Sequence, residues 1–356
     1  MEEKQERIET KVIVVDPAAP DESAIEEAGA VLREGGLVAF PTETVYGLGG
    51  DALNPGSSRK IYAAKGRPSD NPLIVHIARF EDLYRIAKTV PDAAKLLADR
   101  FWPGPMTLVL PKSEDVPCET TGGLDTVAVR WPSDPIAQRL ILAGGGYVAA
   151  PSANRSGRPS PTSAKYCVED LDGRVEMILD GGDCGLGLES TIIDLTGEVP
   201  MILRPGYITE EMLSEVVGAV EIDQAVLSSD TGLRPKAPGM KYRHYAPQGE
   251  LVIVRGEAQK VSEWINREVQ KAKEDGYRTG VIGTEATIGG YFADSCKSAG
   301  RREEEESIAR ELYRILREFD DEGIERIYSE SFDEGILGQA IMNRLLKAAG
   351  HRIVEV

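Results

Sequence analysis

Residues 40–53 read FPTETVYGLGGDAL, and the apolar run Leu37-Val38-Ala39-Phe40 leads straight into them. The run reads as a short buried strand. The stretch after it is small and hydroxylated: six of the fourteen residues are Gly, Thr or Pro, and Glu43 stands between Thr42 and Thr44. A strand that empties into such a loop suits the end of an α/β sheet, where ligands usually bind. Gly47, Gly49 and Gly50 read as residues that turn the backbone sharply and let it approach a ligand. By itself the stretch fits a tight connection equally well, and its neighbours have to decide.

Outward from this point the first part of the chain alternates strand and helix patterns. Ser23 can cap a helix running to about Glu34, ended by Gly35-Gly36. Residues 59–64 and 91–99 read as helices. Residues 73–77, 106–110, 127–130, 148–150, 177–179, 191–194 and 201–203 read as short strands. More strands than helices predict an α/β domain around a twisted, mixed sheet. From residue 228 the chain turns polar, carries three prolines to residue 250 and loses its period, as a linker does. Beyond it, strands at 251–254, 279–282 and 324–328 alternate with helices at 258–274, 303–319 and 337–349, the pattern of a small Rossmann-like domain. The predicted organisation is a catalytic domain over 1–215, a Pro-rich linker or lid over 216–247 and the Rossmann-like domain over 248–356. Neither G-x-G-x-x-G nor a P-loop is present.

Composition removes several classes of function. Three histidines and no H-E-x-x-H argue against a histidine-built metal site, and four scattered cysteines form no C-x-x-C pair. The charged N-terminus lacks an apolar signal core and no segment is long and apolar enough to span a bilayer, so the expectation is a soluble cytoplasmic protein. A net charge of −18 and 6% aromatic content do not suit a nucleic-acid surface.

Chemistry-bearing residues cluster where strands end. In KGRPSDNPLIVHI (65–77), Lys65 and Arg67 flank Gly66, a spacing read as extended or turned, with both cations able to face one anion. Asn71 precedes Pro72, and His76 alternates with apolar Leu73, Val75 and Ile77. APSANRSGRPSPTS (150–163) carries Ser152 and Asn154; TVAVRWP (126–132) ends its strand in Arg130, suited to a carboxylate; GLESTIIDL and ILRPGYIT bring Ser190 and Arg204. No Ser-His-Asp order, carboxylate pair or activated cysteine is evident. The residues alone predict an enzyme that handles ATP without a P-loop, by position and electrostatics.

PTETVYGLGGDA, KGRPSDNPL, FWPGPMTLVL, VAVRWPSD, APSANRSGRPSPT, LESTIID and ILRPG, in this order over about residues 22–215, together resemble the L-threonylcarbamoyladenylate synthase family, with its YrdC-like domain. APGMKYRHYAP (237–247) and the tail resemble the family's two-domain branch. The resemblance implies a twisted mixed sheet with a large concave cavity. It implies that L-threonine, bicarbonate (or CO2) and ATP with Mg2+ become threonylcarbamoyl-AMP and pyrophosphate. A tRNA threonylcarbamoyl-transferase complex would then receive the product. Carried over by motif, Lys65, Arg67, Ser152 and Asn154 are the catalytic tetrad around the ATP phosphates. Asn71, Thr126, Ser160, Arg204, His244 and Tyr245 join ATP binding. Thr44, His76, Arg130, Ala150 and Ser190 line the threonine pocket, with Arg130 on the carboxylate, and Glu43 is expected to be structural. The linker carries Ala237 where the family usually has serine. An RNA-binding module is the competing reading, disfavoured by charge; a hydrogenase-maturation relative would need acylphosphatase and zinc-finger modules that this chain lacks.

Overall fold

Residues 8–227, 244–333 and 335–356 are described by the computed structural model. They divide into two units: 8–156, 160–185 and 189–227 form one, and the rest, with loop residues 157–159 and 186–188, form the other.

In the first unit the strands are β1 (Lys11–Val14), β2 (Val38–Phe40), β3 (Gly47–Asp51), β4 (Ile74–His76), β5 (Met106–Pro111), β6 (Thr126–Arg130), β7 (Val148–Ala149), β8 (Met177–Asp180), β9 (Thr191–Asp194), β10 (Met201–Arg204) and β11 (Glu221–Ile222). They form one sheet in the order β1-β8-β2-β3-β7-β4-β6-β5-β9-β10-β11. It is mixed: β4 and β6 run parallel, while β2–β3 and β5–β6 are antiparallel. The helices that matter for the site are α1 (Glu22–Arg33), α2 (Pro55–Lys65) and α3 (Pro135–Ala143). Successive strand residues face opposite sides. Val38 and Phe40 therefore pack with the apolar faces of α1 and α3, while Leu37 and Ala39 enter the larger core that holds Ile61 and Tyr62 of α2.

Several local expectations are corrected. Gly47, Gly49 and Gly50 form strand β3 instead of a turn. A Cβ on Gly49 would come within 2.9 Å of Phe40 and Val148 side chains, so the glycines make room for packed neighbours. Asp21, not Ser23, caps α1, by accepting from the Ser23 amide. Lys65 is helical: it ends α2, and Gly66 at φ 63° stops the helix. Residues 216–227, expected to be linker, carry the end of the helix Glu210–Val217, strand β11 paired with β10, and the short helix Gln224–Leu227. Residues 228–243 of the expected linker lie outside the described residues.

The second unit is β12 (Glu250–Arg255), α4 (Ala258–Glu274), β13 (Thr279–Gly283), β14 (Ser295–Ser298), α5 (Glu305–Asp321), β15 (Arg326–Glu330), α6 (Gly338–Ala348) and β16 (Ile353–Glu355). Its five strands are all parallel, in the order β14-β13-β15-β12-β16. Helix α4 buries Val261, Ile265, Val269 and Ala272, one stripe at helical spacing. The sequence pattern missed β14, which offers no apolar run, and β16, whose apolar pair Ile353-Val354 is too short to mark a strand; the residues of both are half-buried or exposed.

Candidate active site

Alternation along the strands carries the polar residues to one face of the first sheet. Val75, Leu108, Val127 and Val129 enter the large core, so His76, Thr107 and Arg130 point the other way. Strand register then lines them up. His76 lies opposite Arg130, and Arg130 opposite Thr107, with Val148 and Ile192 flanking the row.

Thr44 reaches this row from the connection between β2 and β3. Thr42 builds that connection: its hydroxyl donates to the Val45 carbonyl at 2.6 Å and accepts from the Thr44 amide at 3.2 Å. Arg130 Nη1 donates to Thr44 Oγ1 at 2.9 Å. Arg130 Nη2 lies 2.8 Å from Glu43 Oε1. That ion pair is close but poorly aligned, since Arg130 Nε and Nη2 and both Glu43 carboxylate oxygens are buried without a hydrogen bond. Nε and Nη2 form the guanidinium edge that takes a carboxylate bidentately. The side chain of Arg130 is only 5% exposed. An organic acid docked here would meet a desolvated guanidinium, and would have to displace Glu43 from Nη2 or share the group with it.

His76 is neutral over the ordinary pH range. Burial, then the neighbouring Arg130 charge, push its pKa down to about 3. Its Nδ1 contacts the Ile74 carbonyl at 3.2 Å, and a carbonyl only accepts. The Val148 backbone is a second hydrogen-bond neighbour of the ring, and both backbone contacts oppose the lowering without reversing it. Asp134, the cap of α3, is pushed the other way, up to about 6, by burial and the nearby Glu43 charge.

The second group lies around the loop after β7. Lys65, 3% exposed, donates to the backbone carbonyls of Ser152 and Asn154. Ser152 Oγ donates to Asn154 Oδ1 at 2.5 Å. Arg67 takes a different course from Lys65: it donates to the carbonyls of Asn71 at 3.3 Å and Pro72 at 3.2 Å. Asn71 Oδ1 is buried without a hydrogen bond. The Ala150 amide donates to the Ile74 carbonyl at 2.9 Å, which ties this loop to the His76 strand.

Glu189-Ser190 connects the two groups. Glu189 accepts from Ser160 at 2.6 Å, while Ser190 Oγ lies 2.7 Å from Thr107 Oγ1 and accepts from Arg204 Nη2 at 3.1 Å. Thr126 stands apart, at the opposite end of β6 from Arg130, about 13 Å away at about 3.3 Å per residue. His244 and Tyr245 group with the second unit, where Tyr245 is buried against Tyr313 with ring centroids 5.2 Å apart. Thr107 and Glu189 escaped the sequence reading. The one signal for Thr107 was a hydroxyl inside the apolar run MTLVL. Glu43, read as structural, faces Arg130 directly. Among the described residues no group of three or more His, Cys, Asp or Glu is placed to hold a metal, and no helix is long and apolar enough to cross a membrane.

Comparison with known proteins gives this arrangement a family. The Sua5/YciO/YrdC model, described as telomere recombination, matches residues 30–206, and the model of the threonylcarbamoyl-AMP synthase C-terminal domain matches 208–350. The threonylcarbamoyl-AMP synthase of Pyrococcus abyssi is 52% identical, with 94% of this chain and 97% of that protein aligned. This chain belongs to the threonylcarbamoyl-AMP synthase family. The Bacillus subtilis synthase is 47% identical over 97% of this chain and 98% of its own. The crystal structure of P. abyssi Sua5 complexed with L-threonine covers 98% of this chain and all of its own, at 49% identity and a TM-score of 0.92. Membership makes the chain an enzyme of the nucleotidyl-transferring kind, built on a mixed α/β sheet unit and a second, parallel-sheet unit.

Proposed function

We propose that the Arg130 row holds L-threonine and the Lys65–Asn154 group holds the phosphates of MgATP, so that this chain makes threonylcarbamoyl-AMP. The observation that carries the reading is the buried Arg130 guanidinium, whose Nε/Nη2 edge has only the misaligned Glu43 ion pair, on a row with His76 and beside Thr44. A threonine carboxylate on that edge leaves its amine to attack CO2, derived from bicarbonate, and form a carbamate. A carbamate oxygen then attacks the α-phosphorus, and pyrophosphate leaves. The net change is threonine, bicarbonate and ATP to threonylcarbamoyl-AMP, pyrophosphate and water.

Lys65, Arg67, Ser152, Asn154, Asn71 and Ser160 act on the phosphates, and Thr126 and Arg204 on the rest of the nucleotide. Thr44, His76, Ala150 and Ser190 shape the amino-acid pocket. Position and fixed charge supply the catalysis, as the reaction needs no protein nucleophile. Mg2+ enters on the ATP phosphates. His244 and Tyr245 join ATP binding, and excluding water protects the carbamate and the mixed anhydride. The product passes to a tRNA threonylcarbamoyl-transferase in the cytoplasm.

The deciding experiment is pyrophosphate release by the purified protein, with threonine and bicarbonate each supplied or withheld. Release that needs both is expected. Release that needs neither would mean a general nucleotide hydrolase and would sink the assignment.

A further inference from the structure

The second unit holds a cavity of about 430 Å³ at the carboxyl ends of β12 and β15. In parallel sheets ligands bind at this edge, where neighbouring strands send their connections in opposite directions. That condition is met here. From β12 the chain goes through α4 to β13 on one side, and from β15 through α6 to β16 on the other.

The lining carries three kinds of group. Val254, Ala258 and Val261 form an apolar wall. Arg255 and Arg302 bring two cations, and Ala258 opens α4, whose cap residue Glu257 makes no side-chain capping bond. The amides of the first helical turn have no partner inside the helix, and they add positive potential to the arginines. The third group is a carboxylate. Glu330, with its side chain 5% exposed, accepts from Tyr291 Oη at 2.8 Å and from Arg302 Nη2 at 2.9 Å, one bond on each oxygen. A carboxylate has about four acceptor positions, so Glu330 keeps capacity for ligand hydroxyls while its own orientation is fixed. Gly283 leaves it room: a Cβ there would lie 2.9 Å from Glu330 Oε1.

Arg255 closes the mouth through ion pairs with Asp333 at 2.5 Å and Glu355 at 3.2 Å. All three side chains are more than a third exposed, so both pairs are weak and an anionic ligand can replace Asp333 while Glu355 stays on Nη1. The β12–α4 turn has the single glycine Gly256, which lies against the backbone of Val356. It therefore lacks the glycine spacing that lets a pyrophosphate approach closely, and the site suits one phosphate.

We propose that this cavity binds a small phosphorylated sugar of the ribose phosphate kind, with the phosphate on Arg255 and the first turn of α4 and a pair of hydroxyls on Glu330. The volume is in the ordinary range for small-molecule sites.

The test is calorimetric titration of the full-length protein with ribose 5-phosphate. One site per chain is expected, with Kd of about 1 mM or tighter. Arg255→Glu and Ala258→Trp should each weaken it at least about tenfold. Lys65→Ala should not change it, and threonine-dependent pyrophosphate release should be unchanged in Arg255→Glu. Arg255 is a partly exposed position, so that variant decides the matter if Ala258→Trp fails to fold. No binding at about ten times that concentration, or binding lost in Lys65→Ala and kept in Arg255→Glu, would overturn the proposal. Inorganic phosphate binding as tightly as the sugar phosphate would overturn the role of Glu330.

Discussion

Burial leaves Arg130 with a donor edge that no group of the protein fills in hydrogen-bond geometry. Such an edge discriminates by shape as well as charge, because only a planar fork matches a carboxylate. Arg130→Lys keeps the charge and loses the fork. Its KM for threonine should rise about 100-fold, about 2.7 kcal/mol, with kcat changed far less. Steady-state kinetics check this, and an unchanged threonine KM would remove Arg130 from the amino-acid site. His76 makes a different prediction. Its folded pKa of about 3 lies below the ordinary 6.5, so its contribution to stability is present above pH 6.5 and is lost as pH falls toward 3. Each pH unit across that window costs about 1.4 kcal/mol. Asp134 works in the opposite sense. Raised from 3.8 to about 6, it stabilises the fold below 3.8 and loses that contribution as pH rises through 6. The informative quantity is therefore the difference between wild type and His76→Gln in urea unfolding at several pH values. That difference should shrink as the pH drops below 6.5, and a constant difference would show that His76 is not held neutral.

Among the elements, β3 shows why composition misled. Three glycines in five residues look like a turn, yet Gly47–Asp51 pairs with β2 and β7 because Phe40 and Val148 leave no space for side chains. Gly49→Ala should lower stability by about 1–3 kcal/mol through overpacking, read as a lower urea midpoint at unchanged m-value. A neutral result would mean that Phe40 and Val148 can move aside. The end of α2 makes a second case. Gly66 stops the helix one residue after Lys65, and the Lys65 ammonium then ties the 152–154 loop through two carbonyls. Lys65→Ala should reduce adenylate formation by about 100-fold or more. It should also speed amide exchange in that loop, and unchanged exchange would leave Lys65 a purely electrostatic role. The strands around the site were legible as apolar runs, and the connections as clusters of Gly, Pro and Ser. Strand β1 is the exception: residues 12–15 form an apolar run, yet Val12 and Val14 are exposed at the sheet edge, so the run does not mark a buried core strand.

For the whole molecule, a net charge of −18 sets what it meets easily. A polyanion such as tRNA is repelled over the Debye length, about 8 Å at physiological salt. No stable complex with unmodified tRNA is expected in a gel-shift assay at micromolar protein and physiological salt. A salt-sensitive complex would revive the RNA-binding reading. A small anion differs from tRNA because it senses local donors instead of the net field, and Arg130 keeps unbonded N–H groups inside an acidic protein.

The sequence by itself determined the class of the fold and the family. Those rest on local patterns: apolar period, turn composition and motifs such as PTETVYGLGGDA and VAVRWPSD. Tertiary structure alone decided which side chains meet. Strand register places His76 beside Arg130 and Arg130 beside Thr107, and it depends on pairing between segments far apart in the chain. The same pairing brings Glu43 to Arg130, shows that Lys65 and Arg67 take separate courses, and opens a cavity in the second unit that no motif announces. Side-chain alternation is a local property; which strand lies next to which is not, and the site is built from the second.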